Sequence, residues 1–304
     1  MNKILVTGGL GIVGSKLVAE LRNRGNDVWI LDLPHHHDEK YFRCDIGHYR
    51  QVEDIFNKQQ FDIVYNLAAE FGRWNGEAFY ERLWMSNAVG TKNIITLQEK
   101  HNFKLIHFSS SEVYGDYDDI MYEYVLDKVP IKQMNDYAMS KWVNEMQILN
   151  SQVMKKTQTV RVRLFNTYGP GEFYSPYRSV ICMFCYRALH NIPYTVYTDH
   201  IRTSTYIDDC IQLLSNIIDN FKDGEVYNIA SRDHHDIKTA SDIILKYLGK
   251  DDSLVTYQNS EPLTTKWKKV DAEKTFKDLG YVPKVSITEG IPKTIEWMRA
   301  VYNV

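Results

Sequence analysis

Tyr137 and Lys141 bracket the segment Tyr137-Ala138-Met139-Ser140-Lys141, and residues four apart share one face of a helix. A phenol and an ammonium so placed suit proton transfer. Free tyrosine ionises near 10, but a neighbouring ammonium together with a positively charged ligand ring would stabilise phenolate and make Tyr137 a usable base toward a substrate hydroxyl. Such a pair also arises by chance on an exposed helix face, so it needs company. Ser109-Ser110-Ser111-Glu112-Val113-Tyr114-Gly115 supplies it, closing an apolar run at the strand end where open parallel sheets bind ligands. A serine hydroxyl there can share the substrate hydroxyl with Tyr137, and Glu112 adds a carboxylate.

A third cluster, Thr7-Gly8-Gly9-Leu10-Gly11-Ile12-Val13-Gly14, follows an apolar run and opens a helical stretch. Spaced glycines allow a tight turn, close backbone approach to a pyrophosphate and close packing of helix on sheet. The helix N-terminus, with its unpaired N–H groups at Ile12 and Val13, favours the anion. Asp32 ends the next apolar run 18 residues beyond Gly14, where a carboxylate accepts both ribose hydroxyls of an adenosine and repels a 2′-phosphate. No arginine follows closely, so NAD is expected over NADP. In Cys44-Asp45-Ile46, Asp45 can meet the adenine amino group or cap the following helix.

These groups need a scaffold that brings strand ends together. Apolar runs at Ile4 to Thr7, Val28 to Asp32, Ile63 to Leu67, Leu105 to Ser109 and Val160 to Phe165 read as buried strands. Gly14 to Arg24, Val52 to Lys58, Ala88 to Lys100 and Tyr137 to Asn150 carry helical spacing between them. The alternation predicts an α/β fold, a Rossmann-type doubly wound parallel sheet over residues 1–166, with about 203–230 returning to it. A smaller C-terminal α/β substrate lobe is expected over 167–304, with helices at Ile207 to Asp219 and Ala240 to Tyr247.

Composition narrows the classes. The 304 residues are 44% hydrophobic and 25% charged, which supports a packed core and argues against disorder. With 36 Lys+Arg against 39 Asp+Glu the net charge is -3, so nothing electrostatic calls for nucleic acid or an acidic membrane. The 6 Trp, 21 Tyr and 12 Phe offer stacking faces beyond what packing needs. No stretch approaches the roughly 20 apolar residues of a membrane helix, and no signal peptide is read at the N-terminus, so a soluble, cytoplasmic protein is expected. Four scattered cysteines fit a reducing compartment. His35-His36-His37 reads as a solvated loop and Cys182-Met183-Phe184-Cys185 as core packing, so no metal is expected.

In order along the chain, these motifs resemble the extended short-chain dehydrogenase/reductases of the nucleotide-sugar epimerase and dehydratase type. Added to them are Asn66-Leu67-Ala68-Ala69, Asn87 with Gly90-Thr91, Arg163 to Gly171, Arg202 ahead of Tyr206-Ile207-Asp208-Asp209, and Gly224 to Ile229. The resemblance runs nearly end to end. It implies oxidation of a sugar C4 hydroxyl by bound NAD, with Tyr137 the base, Lys141 its electrostatic partner and Ser110 the second hydroxyl-binding group. It also implies that Leu67, Ala68, Ala69, Asn87, Asp45 and Ile46 line the cofactor, and that Ser111, Asn166, Arg178 and Arg202 meet a nucleotide-sugar substrate. A homodimer paired through Ala88 to Lys100 and Tyr137 to Asn150 is a further implication.

A C4 ketone acidifies C5–H and can expel a C6 substituent, so one oxidation opens several exits. Glu112 stands where the family's 4,6-dehydratases place the base for C5–H, and related decarboxylases also carry Ser-Glu-Val-Tyr-Gly there. Dehydration, or loss of a C6 carboxylate, is therefore expected before 4-epimerisation or net 4-dehydrogenation. Ser111 stands where many dehydratases have Asp, and Glu70 to Gly76 departs from the usual substrate loop: Arg73 can read an anion and Trp74 can stack on a sugar, or the segment is a surface loop. A catalytically silent NAD-binding sensor is the reading from another class; Tyr137, Lys141 and Ser110 all argue against it.

Overall fold

The computed structural model describes residues 1–304. Its elements run β1 (Lys3–Thr7), α1 (Ile12–Asn23), β2 (Asp27–Asp32), β3 (Tyr41–Arg43), α2 (Tyr49–Lys58), β4 (Ile63–Asn66), α3 (Arg73–Ala78), α4 (Tyr80–Trp84), a π-turn (Met85–Val89), α5 (Gly90–His101), β5 (Lys104–Ser110), a 3-10 turn (Ser111–Tyr114), α6 (Val125–Lys128), α7 (Asp136–Lys155) and β6 (Thr159–Leu164). There follow β7 (Thr167–Tyr168), α8 (Val180–Leu189), β8 (Tyr194–Tyr197), β9 (Ile201–Thr203), β10 (Thr205–Tyr206), α9 (Ile207–Asn216), β11 (Val226–Ile229), β12 (His234–Asp236), α10 (Ile237–Leu248), β13 (Val255–Gln258), α11 (Glu273–Leu279) and α12 (Ile287–Tyr302).

Two compact units result, one of Met1–Val113, Asn135–Arg163 and Leu214–Tyr227, the other of Tyr114–Met134, Leu164–Leu213 and Asn228–Val304. The first is built on a seven-stranded sheet of order β11-β6-β5-β4-β1-β2-β3. β1 pairs in parallel with both β2 and β4, the order reverses there, and the crevice beyond these strand ends is the ligand position of a doubly wound sheet. The expected Rossmann architecture is therefore present. The strands and helices read in the sequence fall within about five residues of those observed; Arg73–Ala78 is helix α3 rather than a loop, Tyr114–Met134 groups with the second unit rather than with 1–166, and the segment returning to the first unit is Leu214–Tyr227.

In the second unit the sheets are two-stranded: β7 with β10, β9 with β12 and β8 with β13. Helices α8, α10 and α12 pack on one another. Cys182 and Cys185 are buried in α8, where loss of solvation pushes both thiols well above their ordinary range. No helix of the chain is long and apolar enough to cross a membrane.

Helix α7 shows how the first unit holds its chemistry. Asn135 caps it, the side chain accepting from Ala138 N at 2.7 Å. Its buried face is largely polar: Ser140, Lys141, Asn144, Glu145 and Ser151. Glu145 is fully buried and both its oxygens are used. Ser109 Oγ donates to Oε1 at 2.6 Å, Arg163 donates to both oxygens at 2.9 and 2.8 Å, and Arg161 donates at 3.1 Å. Arg161 and Arg163 alternate along β6 and so share one face of the sheet. Burial alone would raise this carboxyl, but Arg163, then Arg161 and Ser109, outweigh it and hold it down to about 2.

Glu145→Gln should therefore cost about 3–5 kcal/mol, the usual penalty for stripping one partner from a buried charge cluster. Urea unfolding measures it, and a loss under about 1 kcal/mol would contradict the assignment. A lowered carboxyl stabilises the fold fully above its ordinary 4.5 and progressively less as pH falls toward 2. The parent should accordingly lose more stability over that window than the Gln variant.

Candidate functional site

Gly8 follows β1 with φ +68°, a left-handed conformation, and a Cβ there would stand 2.8 Å from Ala68 N. At Gly14 a Cβ would stand 2.2 Å from Gly8 O. Two glycines thus let the turn after β1 lie against both the loop after β4 and helix α1. Gly11 precedes α1 with no side-chain cap, and no acidic residue occupies the first turn, so the N–H groups at Ile12 and Val13 begin an uncompensated positive end. Asp32 is fixed beside it, accepting from Leu10 N and from Leu33 N, both at 2.8 Å. Carboxylate lone pairs remain for further donors.

The loop after β4 is pinned to the same strand end. Leu67 N donates to Thr7 O at 3.2 Å and Ala68 N to Thr7 Oγ1 at 3.1 Å. Thr7 Oγ1 in turn donates to buried Asn66 at 2.8 Å. Asn87, within the π-turn, donates to Glu70 O and Ser140 Oγ, both at 3.0 Å, and accepts from Glu70 N at 2.9 Å. Its amide therefore holds the segment after Ala69 against α7. Asp45 accepts from Gly47 N at 2.8 Å and so shapes the turn before α2, whose N-cap is His48. Ile46 is buried, its carbonyl accepting from Asn93 at 2.7 Å.

Beyond the end of β5 the chemistry-bearing groups converge. Ser110 lies close enough to the Tyr137 phenol to favour its ionised form, and its Oγ accepts from Glu112 N at 3.2 Å. Ser111 is buried at the start of the 3-10 turn. Lys141 is also buried, Nζ donating to Phe108 O at 2.8 Å and lying 5.9 Å from the Tyr137 ring centroid. The expected activation pairs this ammonium with a positive nicotinamide ring; with the ammonium alone, burial, reinforced by the Glu112 charge and only partly offset by Ser110, pushes Tyr137 up to about 12. Burial draws Lys141 down to about 8, its ammonium being spent on a backbone carbonyl.

Glu112 is flanked on both sides. Asn135 Nδ2 stands 3.5 Å from Oε2, and Arg73 Nε stands 3.9 Å from Oε1. Sequence reasoning missed Asn135, whose signal was an Asn ahead of Asp136, and it placed Arg73 in a loop. Glu145 and Arg161 were missed as well, and Arg163 was read only as part of a motif, although two arginines alternating in an apolar strand call for a buried counter-charge.

In the second unit, Asn166 takes a left-handed φ of +36° and donates to Thr203 O at 3.0 Å. Arg202 donates to Ile201 O, Lys266 O and Glu261 Oε2 at 2.9, 2.8 and 3.1 Å. Arg178 lies ahead of α8, its N–H donating to Ser175 O at 3.3 Å.

Residues 4–230 match the NAD dependent epimerase/dehydratase family. The chain belongs to that family. This family member is 29% identical to UDP-N-acetyl-alpha-D-glucosaminuronate decarboxylase of Bacillus cytotoxicus, the match covering 99% of each chain. It is 26% identical to dTDP-glucose 4,6-dehydratase of Salmonella typhimurium over 98% of this chain and 93% of the other. Among solved structures, the epimerase Mth375 of Methanothermobacter thermautotrophicus superimposes with a TM-score of 0.88 at 25% identity, covering 99% of this chain and 93% of that one. The protein is an NAD-dependent enzyme, which excludes the silent-sensor reading. The tight turn at Gly8 and Gly14, where a Cβ would strike the backbone of Ala68 and of Gly8, leaves a side-chain-free helix N-terminus that fits the dinucleotide.

With its phenol near 12, Tyr137 is protonated in the cofactor-free enzyme at any physiological pH. Subtracting the phenolate absorbance of Tyr137→Phe from that of the parent should leave nothing up to about pH 10, the range of ordinary tyrosines. Adding NAD should bring a one-tyrosine step down to lower pH. A step near 10 without cofactor would contradict the assignment.

Proposed function

We propose that the enzyme oxidises a nucleotide-linked hexose at C4 and then carries the 4-keto sugar through 4,6-dehydration. The observation that carries this reading is the convergence of Ser110, Tyr137 and Lys141 with the Glu112 carboxylate at one strand end. NAD, when bound, would supply a hydride acceptor and a positively charged ring. Tyr137 takes the C4 hydroxyl proton while Ser110 holds the same oxygen. Lys141, anchored on Phe108 O, adds the positive potential that a phenolate needs. Glu112 then removes the C5 proton, acidified by the C4 ketone, and passes it to the C6 hydroxyl, which leaves as water; C6 takes back the hydride removed from C4 and C5 regains a proton, so that one water is lost and the cofactor ends oxidised. The dehydratase relative supports this sequence, and the decarboxylase relative keeps loss of CO2 from a C6 carboxylate as the next reading.

Asp32 is read as the ribose acceptor, and Gly8, Gly11, Ile12, Val13 and Gly14 as the pyrophosphate cradle. Leu67, Ala68 and Ala69 form the wall beside them, which Asn87 holds in place. Asn166, Arg178 and Arg202 are read as nucleotide-diphosphate ligands, with Glu261 yielding Arg202 to the phosphate.

A panel of UDP-, GDP-, dTDP- and CDP-linked hexoses and hexuronates, analysed by mass, tests the reaction. Loss of water supports dehydration; loss of CO2, loss of two hydrogens or an unchanged mass overturns it. Glu112→Gln keeps the shape of the side chain but cannot take the C5 proton. It should still reduce NAD in the first turnover and release no water, whereas an unchanged product at an unchanged rate would remove Glu112 from the mechanism.

We also read the enzyme as a homodimer. Met139, Met146 and Val153 recur every seven residues along α7 and are 38%, 44% and 66% exposed, with Met85 and Val89 exposed ahead of α5. Such spacing makes one continuous apolar face. Light scattering should give a dimeric mass for the parent and a monomeric one for Met146→Glu; a monomeric parent would contradict the reading.

A further inference from the structure

Helix α3 is short, yet it is fixed at several points to the end of the helix that carries Tyr137. Gly72 precedes it with φ +90°, a turn that side chains resist. A Cβ at Gly76 would stand 2.9 Å from Leu83 Cδ1 and 3.3 Å from Tyr137 Cβ, so α3 lies directly on the start of α7. Glu77 Oε1 accepts from Asp136 N at 3.0 Å, and Asn75 Nδ2 donates to Glu70 Oε2 at 3.1 Å. The arm ends in Arg73, whose side chain is 20% exposed beside a Glu112 side chain 14% exposed. Arg73 approaches one carboxylate oxygen and Asn135 the other.

We propose that Arg73 is a positioning residue for Glu112: its guanidinium keeps the carboxylate ionised and aimed, and so equips it to take the C5 proton. The proposal rests on the reading of Glu112 as the base of the second step. In a site that is largely closed to water, a lone carboxylate swings between rotamers and gains from being protonated, and either response removes the base. A cation 3.9 Å from one oxygen and an amide 3.5 Å from the other oppose both, the first by favouring the charged form and the second by holding its orientation. Because α3 and Tyr137 share one anchorage, the base of the second step is registered against the base of the first.

The test separates the two steps. The panel hexose that reduces NAD fastest in the parent is incubated in deuterated water, and deuterium at C5 is read by mass alongside NAD reduction. Arg73→Met should slow C5 exchange by about tenfold, the scale of losing one partly buried opposite charge beside the carboxylate, with NAD reduction close to parental. Arg73→Lys, which keeps the charge, should restore much of the exchange. Unchanged exchange in the Met variant overturns the proposal. So does equal loss in the Met and Lys variants, or a parallel loss of NAD reduction, since either means packing alone. Loss confined to the panel hexuronates, with hexose exchange intact, overturns it in favour of an anion-reading role. If Glu112→Gln still exchanges C5, it is the reading of Glu112 that fails, a result seen without altering Arg73.

Discussion

The buried Glu145 carboxylate is the interaction on which the geometry of the first unit turns. Tyr137 and Lys141 ride on α7, Ser110 and Glu112 on the end of β5, and nothing local fixes a helix against a strand to within a fraction of an ångström. Glu145 does so from one helical turn beyond Lys141, reaching Ser109 on β5 and both arginines on β6. A buried charge left unpaired is costly, which makes this arrangement intolerant of sliding. The helix cannot shift by a residue without stranding a carboxylate among apolar side chains, so register and ionisation enforce each other.

The same closed environment shapes the catalytic electrostatics. Burial separates Tyr137 and Lys141 in opposite directions, raising the phenol and lowering the amine, and Glu112 adds to the first effect. At rest, then, Tyr137 is a poor base. His107, next to Phe108 and bonded to Asn66, is driven down to about 3 by burial and by Lys141, so it adds no positive charge beneath the site. Lys141 alone does not offset burial, so further positive charge is needed before the phenol gives up its proton.

Much of this was legible in the sequence because it is local. Glycines at Gly8, Gly11 and Gly14 encode a turn that only they tolerate, apolar runs alternate with helical spacing, and Tyr137 and Lys141 are one helical turn apart. What was not legible depends on partners distant in the chain. The Tyr–Lys spacing does not reveal that Phe108 O takes the ammonium. Glu145 looks like any helix glutamate until Arg161 and Arg163 close over it. The segment Glu70 to Gly76 reads as a loop because Gly72, Gly76 and aromatic residues obscure a short helix, and that helix becomes stable only by docking on the start of α7.

The central claim is that this constellation removes hydrogen from a sugar C4 before anything happens at C5. Rapid-mixing absorbance of NAD reduction tests it most directly, using the panel hexose that the enzyme accepts in three forms: unlabelled, deuterated at C4 and deuterated at C5. The account predicts that deuterium at C4 slows the appearance of reduced cofactor while deuterium at C5 leaves it unchanged. Slowing by C5 deuterium with none from C4, or no cofactor reduction with any panel sugar, would contradict it.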